Sequence, residues 1–166
     1  MSQLAMRSPA LFMALVSTAA LAAQVPSVSF LGPNGQSRSF TASDLSKLAA
    51  QEIEATDPHS QTSSRYRGVA LNELLALVGA PQGEHLRGSA LATYVVVEAR
   101  DDYRVVFSLA ELDPGLRDTQ VFLAFEKDGE ALGDEMGPFR LVVPSDRRAA
   151  RWVRQVVRVS VVEAPY

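Results

Sequence analysis

The sequence predicts a β-rich α+β domain, a mixed-sheet architecture with three short helices. Three observations predict it. Short runs rich in valine, phenylalanine and tyrosine recur along the chain, separated by clusters of glycine, proline and aspartate. Apolar residues at helical spacing occur only in a few short stretches. The strand and helix signals do not alternate at the regular spacing that βαβ units require. A length of 166 residues fits one domain that can bury a core without covalent staples.

Residues 1–22 stand apart from the rest. Arg7 is the only charge before Arg38, and an apolar run over residues 10–22 follows Ser8 and Pro9. The run suits a secretory signal and is shorter than the ~20 residues needed to cross a bilayer. Ala20-Leu21-Ala22 has the small-x-small spacing of a cleavage site. We therefore expect cleavage after Ala22, with Ala23 as the alternative. The mature domain would cover residues 23–166, without a membrane span, in the periplasm or outside the cell.

The elements then follow in order. Val28 and Phe30 mark a strand over 25–31, the Gly32-Pro33-Asn34-Gly35 cluster turns it, and residues 36–40 return as a hairpin arm. Thr41 and Asp44 have capping-box spacing ahead of Leu45 and Leu48, which gives a first short helix. Residues 51–56 alternate as a strand, and the polar residues 57–64 read as a loop. Leu71, Leu74, Leu75 and Val78 share a helical face that Gly79 and Pro81 end. After a loop at 82–90, residues 93–99 form the strongest strand, with Val95-Val96-Val97 predicting burial on both faces. Arg100-Asp101-Asp102 turns the chain, and residues 103–107 return. Ser108 and Glu111 have the spacing of a second capping box over one helical turn. Strands follow at 121–126, turned by Asp128-Gly129, and at 139–143, ended by Pro144. Residues 145–151 are polar and basic. Residues 152–162 read as a long final strand with Val153, Val157, Val159 and Val161 on one face, allowing for a bulge.

Composition removes several function classes. Sixteen basic residues against nineteen acidic ones leave a charge of −3, which gives no electrostatic case for nucleic-acid binding. The chain has no cysteine, so disulfides, zinc–thiolate sites, iron–sulfur clusters and a thiol nucleophile are excluded. His59 and His85 are its only histidines, too few for a multi-histidine metal site. The acids Asp113, Asp118, Asp128, Asp134 and Glu135 lack the calcium-loop spacing. No phosphate-cradling glycine loop and no Gly-x-Ser-x-Gly elbow is present.

Four segments, taken in order, resemble the molybdopterin-binding domain of the sulfite oxidase family. They are Tyr66-Arg67-Gly68-Val69-Ala70-Leu71-Asn72-Glu73-Leu74-Leu75; the strand-turn-strand over 94–107 with Ser108-Leu109-Ala110-Glu111-Leu112 after it; Phe122-Leu123-Ala124-Phe125 with Asp128-Gly129 and Leu132; and Gly137-Pro138-Phe139-Arg140-Leu141-Val142-Val143-Pro144 with Trp152-Val153 and a valine-rich strand. The resemblance covers residues 27–162 and implies the fold. It also implies where function departs. Catalytic members bind molybdenum through a cysteine shortly after a core strand, and the corresponding stretch here is Val95-Val96-Val97-Glu98-Ala99-Arg100. Glu98, Asp101 and Asp102 are the carboxylates available to substitute.

The reading is therefore a periplasmic binding or accessory module without molybdenum redox chemistry, with no catalytic residue and no metal ligand assigned. It would take a small anionic ligand or a periplasmic or membrane protein partner. Candidate ligand-binding residues are Arg100, Asp101, Asp102 and Tyr103 at the hairpin tip, Arg140 inside an apolar strand, and Arg148. Arg147, Arg151 and Arg154 in the basic segment are candidate interface residues. Each has a plain structural alternative: a solvated tip, a salt bridge from Arg140 to an acid on a neighbouring strand, a solvated basic face. Trp152 reads as core or a lid over it. Two other functions remain in view: an oxidoreductase holding molybdopterin with a non-cysteine ligand, and a partner of a membrane sensor or redox complex.

Overall fold

The computed structural model describes residues 25–118 and 120–165. The signal-peptide reading, with both cleavage alternatives, lies outside them. The chain opens with a hairpin of β1 (Ser27–Leu31) and β2 (Ser37–Thr41). Helix α1 (Ala42–Ser46) follows directly, because Thr41 and Asp44 form the expected capping box. The Asp44 N–H donates to Thr41 Oγ1 at 3.2 Å and the Thr41 N–H to Asp44 Oδ2 at 2.9 Å. Then come β3 (Gln51–Thr56), β4 (Ser63–Ala70) and α2 (Leu71–Ala76). The hairpin β5 (Thr93–Ala99) and β6 (Arg104–Ser108) leads to β7 (Phe122–Lys127), β8 (Glu130–Ala131), β9 (Arg140–Val142) and β10 (Val156–Glu163).

These strands make two sheets. One has the order β2-β1-β10-β5-β6, with β1 and β10 parallel; the other has the order β3-β4-β7-β8, with β9 also pairing to β7. The buried sides of both sheets and of α2 meet in one apolar cluster, which includes Phe30, Val97, Phe107 and Val159 from the first sheet and Tyr66, Leu123 and Leu141 from the second. The cluster also takes Leu71, Leu74 and Leu75, the helical face read from the sequence. The expected architecture is therefore present: β-rich mixed sheets with few helices.

Several local expectations change. The third expected helix is a 3-10 turn (Leu109–Leu112), and Ser108 makes no side-chain cap. The loop at 82–90 contains 3-10 turns at Gly83–His85 and Gly88–Ala92. Residues 63 and 64, read as loop, open strand β4. Strand β5 is buried on one face only: Val95 and Val97 are fully covered, while Tyr94, Val96 and Glu98 are half-exposed. The final strand starts at Val156, not Trp152. Gln155 turns the chain with φ +50° and the ladder to β5 shifts between Val156 and Arg158. Arg154 therefore lies outside the strand, and Val157 is only half-buried. Among the described residues, no helix is long and apolar enough to cross a membrane.

Candidate functional site

Arg140 lies in the three-residue strand β9, opposite Ala124 of β7, and is only 3% exposed. A buried guanidinium requires a charge partner. The partner is Asp57, just beyond β3: Arg140 Nη2 donates to Asp57 Oδ2 at 2.6 Å. The loop after β3 is shaped to present this carboxylate. The His59 N–H donates to Asp57 Oδ1 at 2.8 Å, and backbone bonds Asp57 N–H to the Thr62 carbonyl (3.0 Å) and Gln61 N–H to the Asp57 carbonyl (2.8 Å) close the loop. Burial alone would raise the Asp57 pKa, but the His59 N–H and the Arg140 guanidinium together hold it below the usual carboxylate range.

Aromatic rings complete the surroundings. The Arg140 guanidinium lies 5.3 Å from the Trp152 ring centroid and 5.9 Å from that of Tyr66, and the two rings meet edge-to-face at 6.0 Å. Arg140 Nη1 reaches Met136 Sδ at 3.4 Å. The Tyr66 hydroxyl and Arg140 Nε are buried without a hydrogen-bond partner among the described residues. Burial raises the Tyr66 pKa.

Above this group is a cleft made of two adjoining cavities. One, of about 270 Å³, is lined by Asp57, His59, Met136, Arg140, Ala149, Trp152 and Arg154. The other, of about 240 Å³, is lined by Ala99, Asp101, Tyr103, Ala149, Ala150, Trp152, Val153 and Arg154. Each is slightly below the ~300–1,000 Å³ usual for small-molecule sites. Trp152 is common to both and is held by its indole N–H, which donates to the Val143 carbonyl at 2.9 Å. The Tyr103 hydroxyl donates to the Ala150 carbonyl at 2.8 Å and ties the hairpin tip to the 3-10 turn Ala149–Arg151.

The structure thus brings Asp101, Tyr103, Arg140 and Arg154 to one cleft. Asp101 Oδ1 accepts from the Tyr103 N–H at 3.2 Å. Arg154 pairs with the exposed Glu135 at 3.2 Å. Asp102 occupies the exposed tip with φ +65°. Arg100, Arg147 and Arg148 are exposed. Arg151 is turned elsewhere: it grips Asp146 through two bonds of 2.8 and 2.7 Å, reaches Glu111 at 3.0 Å and stacks 4.6 Å from the Phe107 centroid. Its pairing with Asp146 raises its pKa further. The sequence reading did not single out Asp57, Met136 or Tyr66 as site residues. The arginine inside an apolar strand did signal that a buried acid had to exist.

Two packed sheets, with a cleft lined by Asp57, Asp101, Arg140, Trp152 and Arg154, define an α+β scaffold. The chain belongs to the oxidoreductase molybdopterin binding domain family, whose sequence model matches residues 34–166. No curated protein sequence matches it. Among solved structures, the fold is similar to that of the sulfane dehydrogenase SoxCD from Paracoccus pantotrophus, with a TM-score of 0.63 and 22% identity. The match covers 84% of this chain and 38% of that one, so the chain spans well under half of that dehydrogenase chain. At this identity the likeness is one of fold.

The family name implies molybdopterin, and the donor set here can be tested against it. The chain has no thiol to bind the metal. Of the carboxylates near the hairpin end, Glu98 pairs with Arg104 at 3.4 Å and Asp101 caps the Tyr103 N–H. Among the described residues, no group of three or more histidines, aspartates and glutamates is placed to hold a metal. These residues do not fit a molybdenum centre held by a protein thiolate.

Proposed function

We propose that the chain is a binding or accessory module on a molybdopterin-binding-type fold, acting in the periplasm or outside the cell, without molybdenum redox chemistry. The observation that carries the reading is the hairpin end between β5 and β6. Catalytic relatives are expected to place a metal-binding thiolate there, and this chain has Glu98-Ala99-Arg100-Asp101-Asp102 instead. The cleft supports binding of a small anion. Arg140 and Arg154 line it, and the exposed Arg148 directly precedes the turn that lines it.

Trp152 is the only tryptophan in the chain and lines both cavities, so its fluorescence reports on the cleft directly. Titration with acetate, phosphate and sulfate should give a saturable change with at least one of them. Arg154→Ala, at an exposed side chain, should weaken that response about tenfold while leaving the melting temperature in place. No saturable response to any anion, or an unchanged response in Arg154→Ala, would remove the anion reading. A second reading, a protein partner docking on the basic segment, rests on the exposure of Arg147 and Arg148. Charge reversal at both should abolish capture of that partner, and retained capture would discard it.

A further inference from the structure

Strand β6 ends the first sheet, and among the described residues no strand pairs with its outer side. The hairpin register fixes which backbone groups face that side. The Ala99 N–H donates to the Tyr103 carbonyl at 2.9 Å, and the pairs Val97↔Val105 and Val95↔Phe107 follow in steps of two residues. Hydrogen-bonded pairs alternate with non-bonded pairs in an antiparallel ladder. The N–H and carbonyl groups of Arg104 and Val106, and the N–H of Ser108, therefore point away from β5. None of them finds a backbone partner among the described residues. The side chains of all three residues are exposed, and Val106 is 54% exposed. The other edges are guarded differently. Exposed Ser37, Arg38 and Ser39 line β2, and Glu52 and Glu54 place acids along β3. Strand β6 has no acid, no proline and a valine at its centre. Such an edge is a template for one more strand.

We propose that β6 pairs with β6 of a second copy of this chain, antiparallel about a two-fold axis at Val106, so that two five-stranded sheets become continuous. The strand's own sequence selects this occupant. With the axis at Val106, Val106 exchanges both backbone bonds with Val106 of the second copy, and each Ser108 N–H meets the Arg104 carbonyl opposite. The two exposed valines cover each other. The two Arg104 guanidinium groups lie at opposite ends, each still beside Glu98 of its own chain at 3.4 Å. Moving the axis to Arg104 would instead set two guanidinium groups face to face, which is unfavourable across a strand pair. Two-fold interfaces demand this self-complementarity. The edge is short, so the dimer is weak and depends on concentration.

Sedimentation velocity over a concentration series, with amide exchange read by NMR on the full chain, tests the proposal. The mass should rise from that of one chain toward twice that value, and exchange at Val106 and Ser108 should slow in step. Val106→Lys places two ammonium groups on the axis and should weaken association about tenfold. Ser39→Lys on the opposite edge should leave it unchanged. If Val106→Lys fails to fold, Val106→Pro serves in its place: it removes the outward N–H, and edge strands tolerate proline where that N–H makes no bond in the sheet. A monomer at every concentration would overturn the proposal. So would a dimer indifferent to both Val106 variants, or protection of Val106 in the monomer, which would mean that the chain's own remaining residues cover the edge.

Discussion

Arg140 and Asp57 form the most consequential side-chain pair in the molecule. Both are buried, and each satisfies a charge that the other would otherwise leave stranded. Arg140→Leu should cost about 3–5 kcal/mol in denaturant unfolding, because it leaves an unpaired buried carboxylate. Adding Asp57→Asn should recover part of that loss, and a double variant as unstable as the sum of the singles would show that the two do not act together. The pair also has a pH signature. The Asp57 carboxyl is depressed in the folded chain and sits at about 3.9 when unfolded. Its contribution is therefore complete above pH ~4 and is lost as pH falls through the depressed value. Asp57→Asn should flatten the fall in melting temperature below pH ~4. The flattening should be partial, because Asp44, bonded to the Thr41 hydroxyl, and Asp128, which accepts the Arg65 N–H, are also held down. An unchanged slope would contradict the assignment. The sequence showed that Arg140 needed an acid. It could not show which one, because 83 residues separate the two and only the meeting of β9 with the loop after β3 joins them.

At the level of elements, apolar content decided what was legible. The valine-rich runs of β5 and β10 and the apolar run of β7 gave themselves away, as did the Leu71, Leu74, Leu75 face of α2. Strand β4 opens with Ser63-Ser64-Arg65, whose polar side chains look like loop and are strand only because β3 supplies ladder partners. The late start of β10 was hidden for the same reason: Trp152 and Val153 are buried like strand residues, but the turn at Gln155 comes between them and the strand. Gly68 marks how closely β4 and β7 approach at their bulge, since a Cβ there would sit 2.5 Å from the Leu123 carbonyl oxygen. Gly68→Ala should therefore destabilise by about 1–3 kcal/mol or more in thermal unfolding, and a neutral result would mean the strands can part without loss. The hairpin tip behaves oppositely. Asp102 has positive φ and is exposed, so Asp102→Gly should hold stability within about 1 kcal/mol of the parent chain. Any change that variant causes in the Trp152 titration then belongs to the lost carboxylate.

For the whole molecule, the fold and the chemistry separate. The order of segments along the chain carried the family, and the family carried the architecture of two sheets and few helices. Activity resides in particular side chains, not in the scaffold. Here the decisive side chain is one the sequence does not contain: a chain of 166 residues with no cysteine cannot hold molybdenum as a thiolate-ligated enzyme does. What the sequence could not display was the cleft itself, because Asp57, Asp101, Arg140, Trp152 and Arg154 come from separate turns and strands that only the finished fold assembles. The most direct test of the account is the molybdenum and pterin content of the chain, produced in a host with the complete cofactor pathway and purified without chelators. Elemental analysis and the fluorescence of oxidised pterin should both give values far below one per chain. Stoichiometric molybdenum with stoichiometric pterin would contradict the account and make the chain a molybdenum protein with a non-thiolate ligand.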